Sequence, residues 1–335
     1  MNEKIELSII IPCYDVPVST LRQCVESMTF LDGVLPYEVW VIDDGSQKNQ
    51  VVPFIESLGN THFHAVRQQN MGPGGARNTG IGLSRGEYIT FVDADDYILY
   101  GPYIEMLNLL MQKRPDILCQ GCLYSYEGNA TRFMMEYDIS PSCCSYFIRR
   151  QTLGELRFTP YIFHEDEEFC TKLHLLRAHL ITLTYSAYFY RYRADSITHN
   201  TDDEVIRKRF RDYLTVIHNL QSMHVKEPHQ RALVRRLDII AMCYIITLMR
   251  DMSDFRDIEA SLQGLRQAGL YPLPFRWHGL RYFMVMIVSR VPWLTHILSP
   301  LTKLALKLRY GTTKKRAFTA HADLVNADEP EVLSQ

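Results

Sequence analysis

The chain has 335 residues, 47% of them hydrophobic, with a formal net charge of −2. That composition can fill one large core or two smaller ones, which excludes a disordered or fibrous chain. Near-neutral charge argues against a general nucleic-acid binder. No apolar run reaches transmembrane length, and the longest, Ile239 to Met249, reads as a buried helix.

The first apolar run, Leu7 to Pro12, is too short for a signal peptide and lacks a cleavage site, so the eight cysteines are expected to be reduced, in the cytoplasm. The same run shows no alternation, the mark of a strand covered on both faces, as in a parallel sheet. Cys13-Tyr14-Asp15 follows as a loop. Leu21, Cys24, Val25 and Met28 then repeat at helical spacing, with Thr20 and Gln23 as a capping box. Glu38 to Ile42 is the second strand, running into the turn signal Asp43-Asp44-Gly45-Ser46. Val51, Phe54, Ile55 and Leu58 mark the second helix, and His62 to Val66 a third strand. Asn70 to Gly80 is glycine-rich and reads as a loop before a short helix ending at Ser84.

Tyr88 to Asp93 is the central strand, and three carboxylates, Asp93, Asp95 and Asp96, arrive within four positions at its end. A strand interior does not tolerate unpaired charge, so all three are expected to face solvent or a cation. Two residues apart in an extended segment, Asp93 and Asp95 point to one side and suit a hard divalent ion. The alternation of strands and helices predicts an α/β fold, an open, mostly parallel sheet flanked by helices. Such sheets bind ligands at the carboxyl ends of their strands. Tyr14-Asp15, Asp43-Asp44 and Asp93 to Asp96 all fall on that edge.

Downstream, Asp116 to Tyr124 is another strand. It holds a lone Cys119-Gln120-Gly121-Cys122, whose thiols would face opposite ways on a strand, against zinc or redox use. Cys143 and Cys144, His62, His64 and His174 read as packing or surface residues. Residues 125 to 160 read as an irregular, aromatic-rich loop. His164-Glu165-Asp166-Glu167-Glu168 opens a helix, where acids also favour the helix dipole. Leu180 to Tyr192 reads as a further strand. From about Asp203 the pattern is helical: 203–223, 230–250 and 255–268 form an all-α C-terminal appendage. No acid occurs from Ser261 to Ala322, and Trp277 to Tyr310 mixes aromatic and Leu residues with Arg and Lys. That suits either an anionic membrane surface at 277–316 or a basic helix packed on the α/β domain, with Pro292 and Pro300 breaking any long helix. The expected domains are therefore 1–200 (in two halves that meet at about 100), 201–320 helical, and an acidic tail at 321–335.

The strings "SIIIPCYD", "EVWVIDDGS", "NMGPGGARNTGI" and "GEYITFVDADD" resemble, in order and spacing, the successive signatures of family 2 glycosyltransferases. These are inverting enzymes of the Rossmann-like GT-A fold. The resemblance covers residues 5 to about 200, and Cys13 and Asp15 stand where the family usually has an aliphatic residue and Asn. It implies a donor, a nucleotide-diphosphate sugar with uridine preferred, held by Pro12, Tyr14, Asp43, Asp44, Gly74, Arg77, Asn78, Asp93, Ala94, Asp95 and Arg193. Tyr14 would stack on the base, Asp43 or Asp44 would hold its ring nitrogen, and Asp93 would contact the ribose. Asp95, with the Asp-x-Asp motif, would hold Mn²⁺ or Mg²⁺, and His199 is a second metal candidate. Asp166, with Glu165 second, would be the base that deprotonates an acceptor hydroxyl. The implied acceptor is a glycan or lipid-linked glycan in bacterial surface-polysaccharide assembly at the inner face of the cytoplasmic membrane.

Two rivals are weaker. A nucleotidyltransferase needs a glycine-rich basic loop after strand one, and Tyr14-Asp15-Val16-Pro17 is none. A non-catalytic nucleotide-sugar-binding module is opposed by the intact Asp93, Asp95 and Asp166. The glycine run after strand three is also in the wrong place for a nicotinamide cofactor.

Overall fold

The computed structural model describes residues 4–191, 202–252 and 255–291. They divide into two compact units, Met1–Ile240 and Ala241–Gln335. In the first, β1 (Leu7–Cys13), β2 (Tyr37–Asp43), β3 (Phe63–Arg67) and β4 (Tyr88–Phe91) run parallel, in the order β3-β2-β1-β4. The helices α1 (Val18–Glu26), α2 (Val51–Ser57) and α3 (Gly72–Leu83) join them. Successive β1 residues serve opposite faces. Ile9 and Ile11 pack with Leu21, Cys24 and Met28, and Ile10 packs under α3. A Cβ on Gly80 would lie 2.3 Å from Ile10 Cγ2, so α3 rests on the sheet only because residue 80 has no side chain.

Three expectations need correction here. The glycine-rich run is helix, not loop. Weak helix propensity is overridden because Gly74, Gly75 and Gly80 let α3 sit directly on its neighbours. The helix α1 begins at Val18 behind Pro17 with no side-chain cap, so Thr20 and Gln23 form no capping box. The central strand stops at Phe91, and Asp96 N–H donates to Asp93 C=O (3.0 Å), which puts the acids on a turn rather than in an extended segment.

After a short β5 (Tyr97–Ile98) and α4 (Tyr100–Lys113) come β6 (Ile117–Cys119), β7 (Tyr126–Asn129), α5 (Ala130–Glu136), β8 (Tyr146–Arg149), α6 (Arg150–Leu153), α7 (Glu165–His174), β9 (His179–Thr182) and β10 (Tyr188–Phe189). The sheet continues β4-β8-β6-β9-β7, with β8 antiparallel to both neighbours. The stretch 125–160 is thus no irregular loop: Tyr146 to Ile148 form a fully buried strand in mid-sheet. The expected strand from Leu180 to Tyr192 is two strands, and β10 pairs with β5 instead of the main sheet. Strand β6 ends at Cys119, and Gly121 turns the chain back at φ +69°, a left-handed conformation that suits glycine. Cys119 and Cys122 therefore converge, their sulfurs 3.2 Å apart, against the opposed orientation expected of a strand.

The described elements beyond 202 are all helices, as expected: α8 (Asp203–Gln221), α9 (His229–Asp251), α10 (Phe255–Gln267) and α11 (Leu280–Ser289). The division between the units falls inside α9. In the first unit α8 and the start of α9 brace α7. Asn219 Nδ2 donates to Glu168 (3.0 Å) and buried Arg236 pairs with buried Glu167.

Candidate active site

The loops after β1, β2 and β4 leave the same edge of the sheet. Strand order reverses between β1 and β4, and open α/β sheets bind ligands at such a switch point. Pro12 sits there. Val92 N–H donates to Ile10 C=O (3.0 Å) on the β4 side of β1. Strand alternation puts the N–H that Pro12 lacks on that same side, beyond the last β1–β4 pair, Ile10–Phe91. The proline therefore removes no ladder bond.

The first two loops are zipped together. Asp44 N–H donates to Cys13 C=O (2.8 Å), and Asp15 accepts from Gln47 N–H (2.8 Å) while donating its own N–H to Ser46 Oγ (3.0 Å). Asp15 has φ +50°, a left-handed conformation that Asp and Asn tolerate better than other residues. Tyr14 is 50% exposed beside them. Asp43 is fully buried and accepts from Ser46 N–H (2.9 Å) and Arg67 (3.0 Å). Asp44, also buried, accepts from Gln68 Nε2 (2.7 Å) and Met71 N–H (2.9 Å), and burial pushes its pKa up. A base contact at either carboxylate would have to use the lone pairs those bonds leave.

On the acidic turn the three carboxylates separate. Asp93 and Asp95 are half-buried, with Ala94 buried between them. Asp96 is 1% exposed, against the expectation that all three face outward. The Tyr188 hydroxyl and Arg191 N–H (2.8 Å) satisfy it, so it can be buried at tolerable cost. Burial pushes its pKa up to about 7, opposed by those hydrogen bonds. The same Tyr188 hydroxyl accepts from Asp93 N–H (3.2 Å), tying β10 to the turn.

Arg77 organises the third wall. Buried in α3, it donates to Asp93 Oδ1 (2.8 Å) and to Glu165 Oε1 (2.5 Å), the first residue of α7. Its neighbour Asn78 clamps Phe158 with two bonds of 2.9 Å, through Nδ2 to the carbonyl and Oδ1 from the N–H. A Cβ on Gly74 would lie 2.8 Å from Thr159 C=O and 3.1 Å from Glu165 Cγ. These three residues of the glycine-rich run thus hold the segment that leads into α7. Asp166 comes next and is only half-buried, and its Oδ1 accepts from Glu167 N–H (2.9 Å). Burial, then the Glu165 charge, hold its carboxyl well above the ordinary carboxylate range, with Arg77 opposing. His164 before it is held neutral, its pKa lowered to about 4 by burial.

Comparison with known proteins identifies the family. The model described as "Glycosyl transferase family 2" matches residues 8–175, half of the chain. The chain belongs to glycosyltransferase family 2. Among curated members, "Uncharacterized glycosyltransferase YibD" of Escherichia coli is 32% identical over 35% of this chain and 34% of its own. "Minor teichoic acid biosynthesis protein GgaB" of Bacillus subtilis is 27% identical over 47% of this chain and 20% of its own. The matches thus span about a third or less of these relatives' length. Among solved structures, S. aureus TarS 1-349 in complex with UDP-GlcNAc superposes with a TM-score of 0.61 at 17% identity, over 92% of both chains. A Pyrobaculum calidifontis mannosyltransferase in complex with GDP-Man and Mn²⁺ gives 0.53 at 14% identity, over 91% of this chain and 87% of its own. At such identities the likeness establishes the GT-A fold.

Within that family 2 frame, Asp93, Asp95, Glu165, Asp166, Arg77 and Asn78 are brought together around one edge, with Pro12 and Tyr14 beside them. Arg193 and His199 lie outside the described residues. Among the described residues no group of three His, Cys, Asp or Glu side chains converges as a ready-made metal cage. Mg²⁺ and Mn²⁺ do not need one, since a carboxylate or two with substrate phosphates and water completes their shell. The local charge fits a cation: Asp93 and Glu165 pair with Arg77 and Asp166 lies in its field, an acidic group that suits a divalent ion beside a diphosphate. Sequence reasoning missed Tyr188, Arg67 and the α8 residues Lys208 and Asp212. Asp212 accepts from Phe163 N–H (2.8 Å) and Lys208 donates to Tyr161 C=O (3.0 Å), fixing the approach to α7. These contacts span 47 and 49 residues for Lys208 and Asp212, 21 and 24 for Arg67 and 92 for Tyr188 to Asp96, so no local pattern marks them.

Proposed function

We propose that the chain is an inverting glycosyltransferase that moves a sugar from a nucleotide-diphosphate sugar to an acceptor hydroxyl in one displacement. The half-buried Asp166, on the rim of the Arg77-centred acid cluster with its proton affinity raised, is the observation that carries this reading. A base works best with a pKa near the working pH, and burial raises Asp166 in that direction. Arg77 occupies Glu165, which leaves Asp166 as the base and Glu165 as its support. Asp95 would hold Mn²⁺ or Mg²⁺, which supplies Lewis-acid stabilisation of the leaving diphosphate when bound. Tyr14, Asp93 and the loops after β1 and β2 bind and orient the nucleoside. A uridine diphosphate sugar is the donor class we favour, in keeping with the UDP-GlcNAc complex of TarS. A glycan or lipid-linked glycan is the acceptor class, in keeping with the name of the GgaB relative. Catalysis is assigned to 1–200, with α8 and the start of α9 bracing α7 and the helices beyond as an accessory region.

Calorimetry of UDP and GDP with and without Mn²⁺ tests the donor side. One nucleoside diphosphate should bind weakly alone and tightly only with metal. In Asp95→Ala that metal-dependent gain should fall tenfold or more while metal-free binding stays as it was. Equal gains in both proteins would remove Asp95 from the metal.

The second unit supports association with an anionic membrane surface. Leu280 (66% exposed), Met284 (59%) and Ile287 (42%) line one face of α11, next to Phe275 (79%) and Trp277 (69%). Arg276, Arg281 and Arg290 are exposed among them, and 261–291 contains no acid. Apolar side chains inserting below a ring of guanidiniums is the interfacial pattern. The rest of the basic stretch, to 316, and the tail at 321–335 lie outside the described residues. Replacing Leu280 and Met284 by Glu in the full chain should weaken binding to phosphatidylglycerol vesicles at least tenfold, since each buried side chain contributes about 1.5–3 kcal/mol. Unchanged co-sedimentation would rule this face out.

A further inference from the structure

Cys119 and Cys122 are brought together by the fold rather than by strand geometry. Strand β6 delivers Cys119, which is 1% exposed, and the left-handed Gly121 reverses the chain so that the Cys122 sulfur lies 3.2 Å from the Cys119 sulfur. The turn is pinned on both sides. Gly121 N–H donates to Tyr185 C=O (2.9 Å) and Cys122 N–H to Leu183 C=O (2.9 Å). Between the cysteines, Gln120 Oε1 accepts from Ala187 N–H (2.7 Å), and its Nε2 donates to Cys144 C=O (3.3 Å). Cys122 is partly exposed, unlike most of the other thiols, so an outside reagent can reach it. Among the described residues no His, Cys, Asp or Glu joins the two thiols as a third ligand.

We propose that Cys119 and Cys122 form a reversible thiol–disulfide site that closes by exchange with a small-molecule disulfide of the glutathione type. The Cys122 thiolate attacks one sulfur of the oxidant and forms a mixed disulfide, releasing one glutathione thiolate, which takes up the proton Cys122 lost. Cys119, having given up its proton, then attacks Cys122 Sγ and expels the second glutathione thiolate, which is protonated in turn. Two protein thiols and one disulfide become one protein disulfide and two small thiols, with two electrons passed to the oxidant. Closure needs the sulfurs to approach by only about 1.2 Å, to the usual bond length of about 2.05 Å. The reactivities are ordered the right way. The Cys119 thiol beside it pushes the Cys122 pKa down, while burial, and then the Cys122 sulfur, hold Cys119 well above the ordinary thiol value. Once Cys122 is in the mixed disulfide its negative charge is gone, and that part of the opposition to ionising Cys119 goes with it.

The test is covalent and does not depend on the transferase reading. The full native chain is incubated with excess oxidised glutathione, quenched with acid, and mapped by peptide mass spectrometry. The peptide spanning 119–122 should lose two hydrogens and regain them with dithiothreitol. Cys119→Ser should instead retain a lasting glutathione adduct on Cys122, and Cys122→Ser should leave Cys119 unmodified. A lasting adduct at Cys122 in the parent chain, closure involving another cysteine, or an unmodified pair would each overturn the proposal.

Discussion

Asp166→Asn should lower sugar transfer by about 10²–10⁴-fold, the range that a positioned base contributes, while metal-dependent donor binding stays within a factor of about two. Asn has nearly the same shape and can still accept from Glu167 N–H, so the start of α7 should survive. What it cannot do is take the acceptor proton. The pH profile carries the same signature. The base must be ionised to act, and burial with the Glu165 charge raises its pKa, so transfer should rise with pH through a limb above the ordinary carboxylate range. That limb should vanish in the Asn variant. The sign on stability is opposite. A carboxyl whose folded pKa exceeds its unfolded value binds more protons in the folded state, so stability falls as pH rises through that window. Removing the charge should leave the variant melting at or above the parent temperature at neutral pH. A variant that melts lower and loses donor binding together with transfer would make Asp166 structural and move the base elsewhere.

Arg77→Met should have the largest effect on stability, a loss of about 3–5 kcal/mol, the usual result of removing one partner from a buried ion pair. Arg77 is 5% exposed and pairs with Glu165 and Asp93 at once. Taking it away leaves the buried Glu165 without a counter-charge, beside Asp166 and Asp93. Lysine cannot replace it, because a single ammonium lacks the fork that reaches both carboxylates. Denaturant unfolding of Arg77→Met, Arg77→Lys and the double variant Arg77→Met/Glu165→Gln would check this. The double variant should recover part of the loss, since its buried carboxylate is neutral. A loss below about 1 kcal/mol in Arg77→Met would mean that water or a bound cation already compensates the acids. Donor affinity should also fall in Arg77→Met, because Asp93 loses its anchor.

Much of this was legible from the chain alone. Unalternated runs such as Leu7 to Pro12 announce parallel strands, and alternation of strands with helices orders them. Loops after parallel strands must share one edge, so Tyr14-Asp15, Asp43-Asp44 and Asp93 to Asp96 could be brought together without a structure. The helix start at Glu165 followed from its run of acids. Local rules failed where partners come from far along the chain. Periodicity cannot show that Tyr146 to Ile148 insert between β4 and β6, because a four-residue strand has too few positions to establish a period. Helix propensity reads the glycines of α3 as loop, because it does not count what a Cβ would strike on Ile10 and Thr159.

The sequence by itself determined the fold class, the binding edge and the residue types on it, since these follow from hydrophobic period and chain order. Only the tertiary structure decided how each acid is placed and paired. Four carboxylates of the acidic turn and the α7 start look equivalent in one dimension. In three dimensions Asp96 is turned inward by Tyr188, and Asp93 and Glu165 are bound to Arg77. Asp166 stays half-open at the rim. The physical reason is that the protonation and availability of a carboxylate depend on its burial and its neighbouring charges. Here the partners lie 16 residues away for Asp93, 88 for Glu165 and 92 for Asp96.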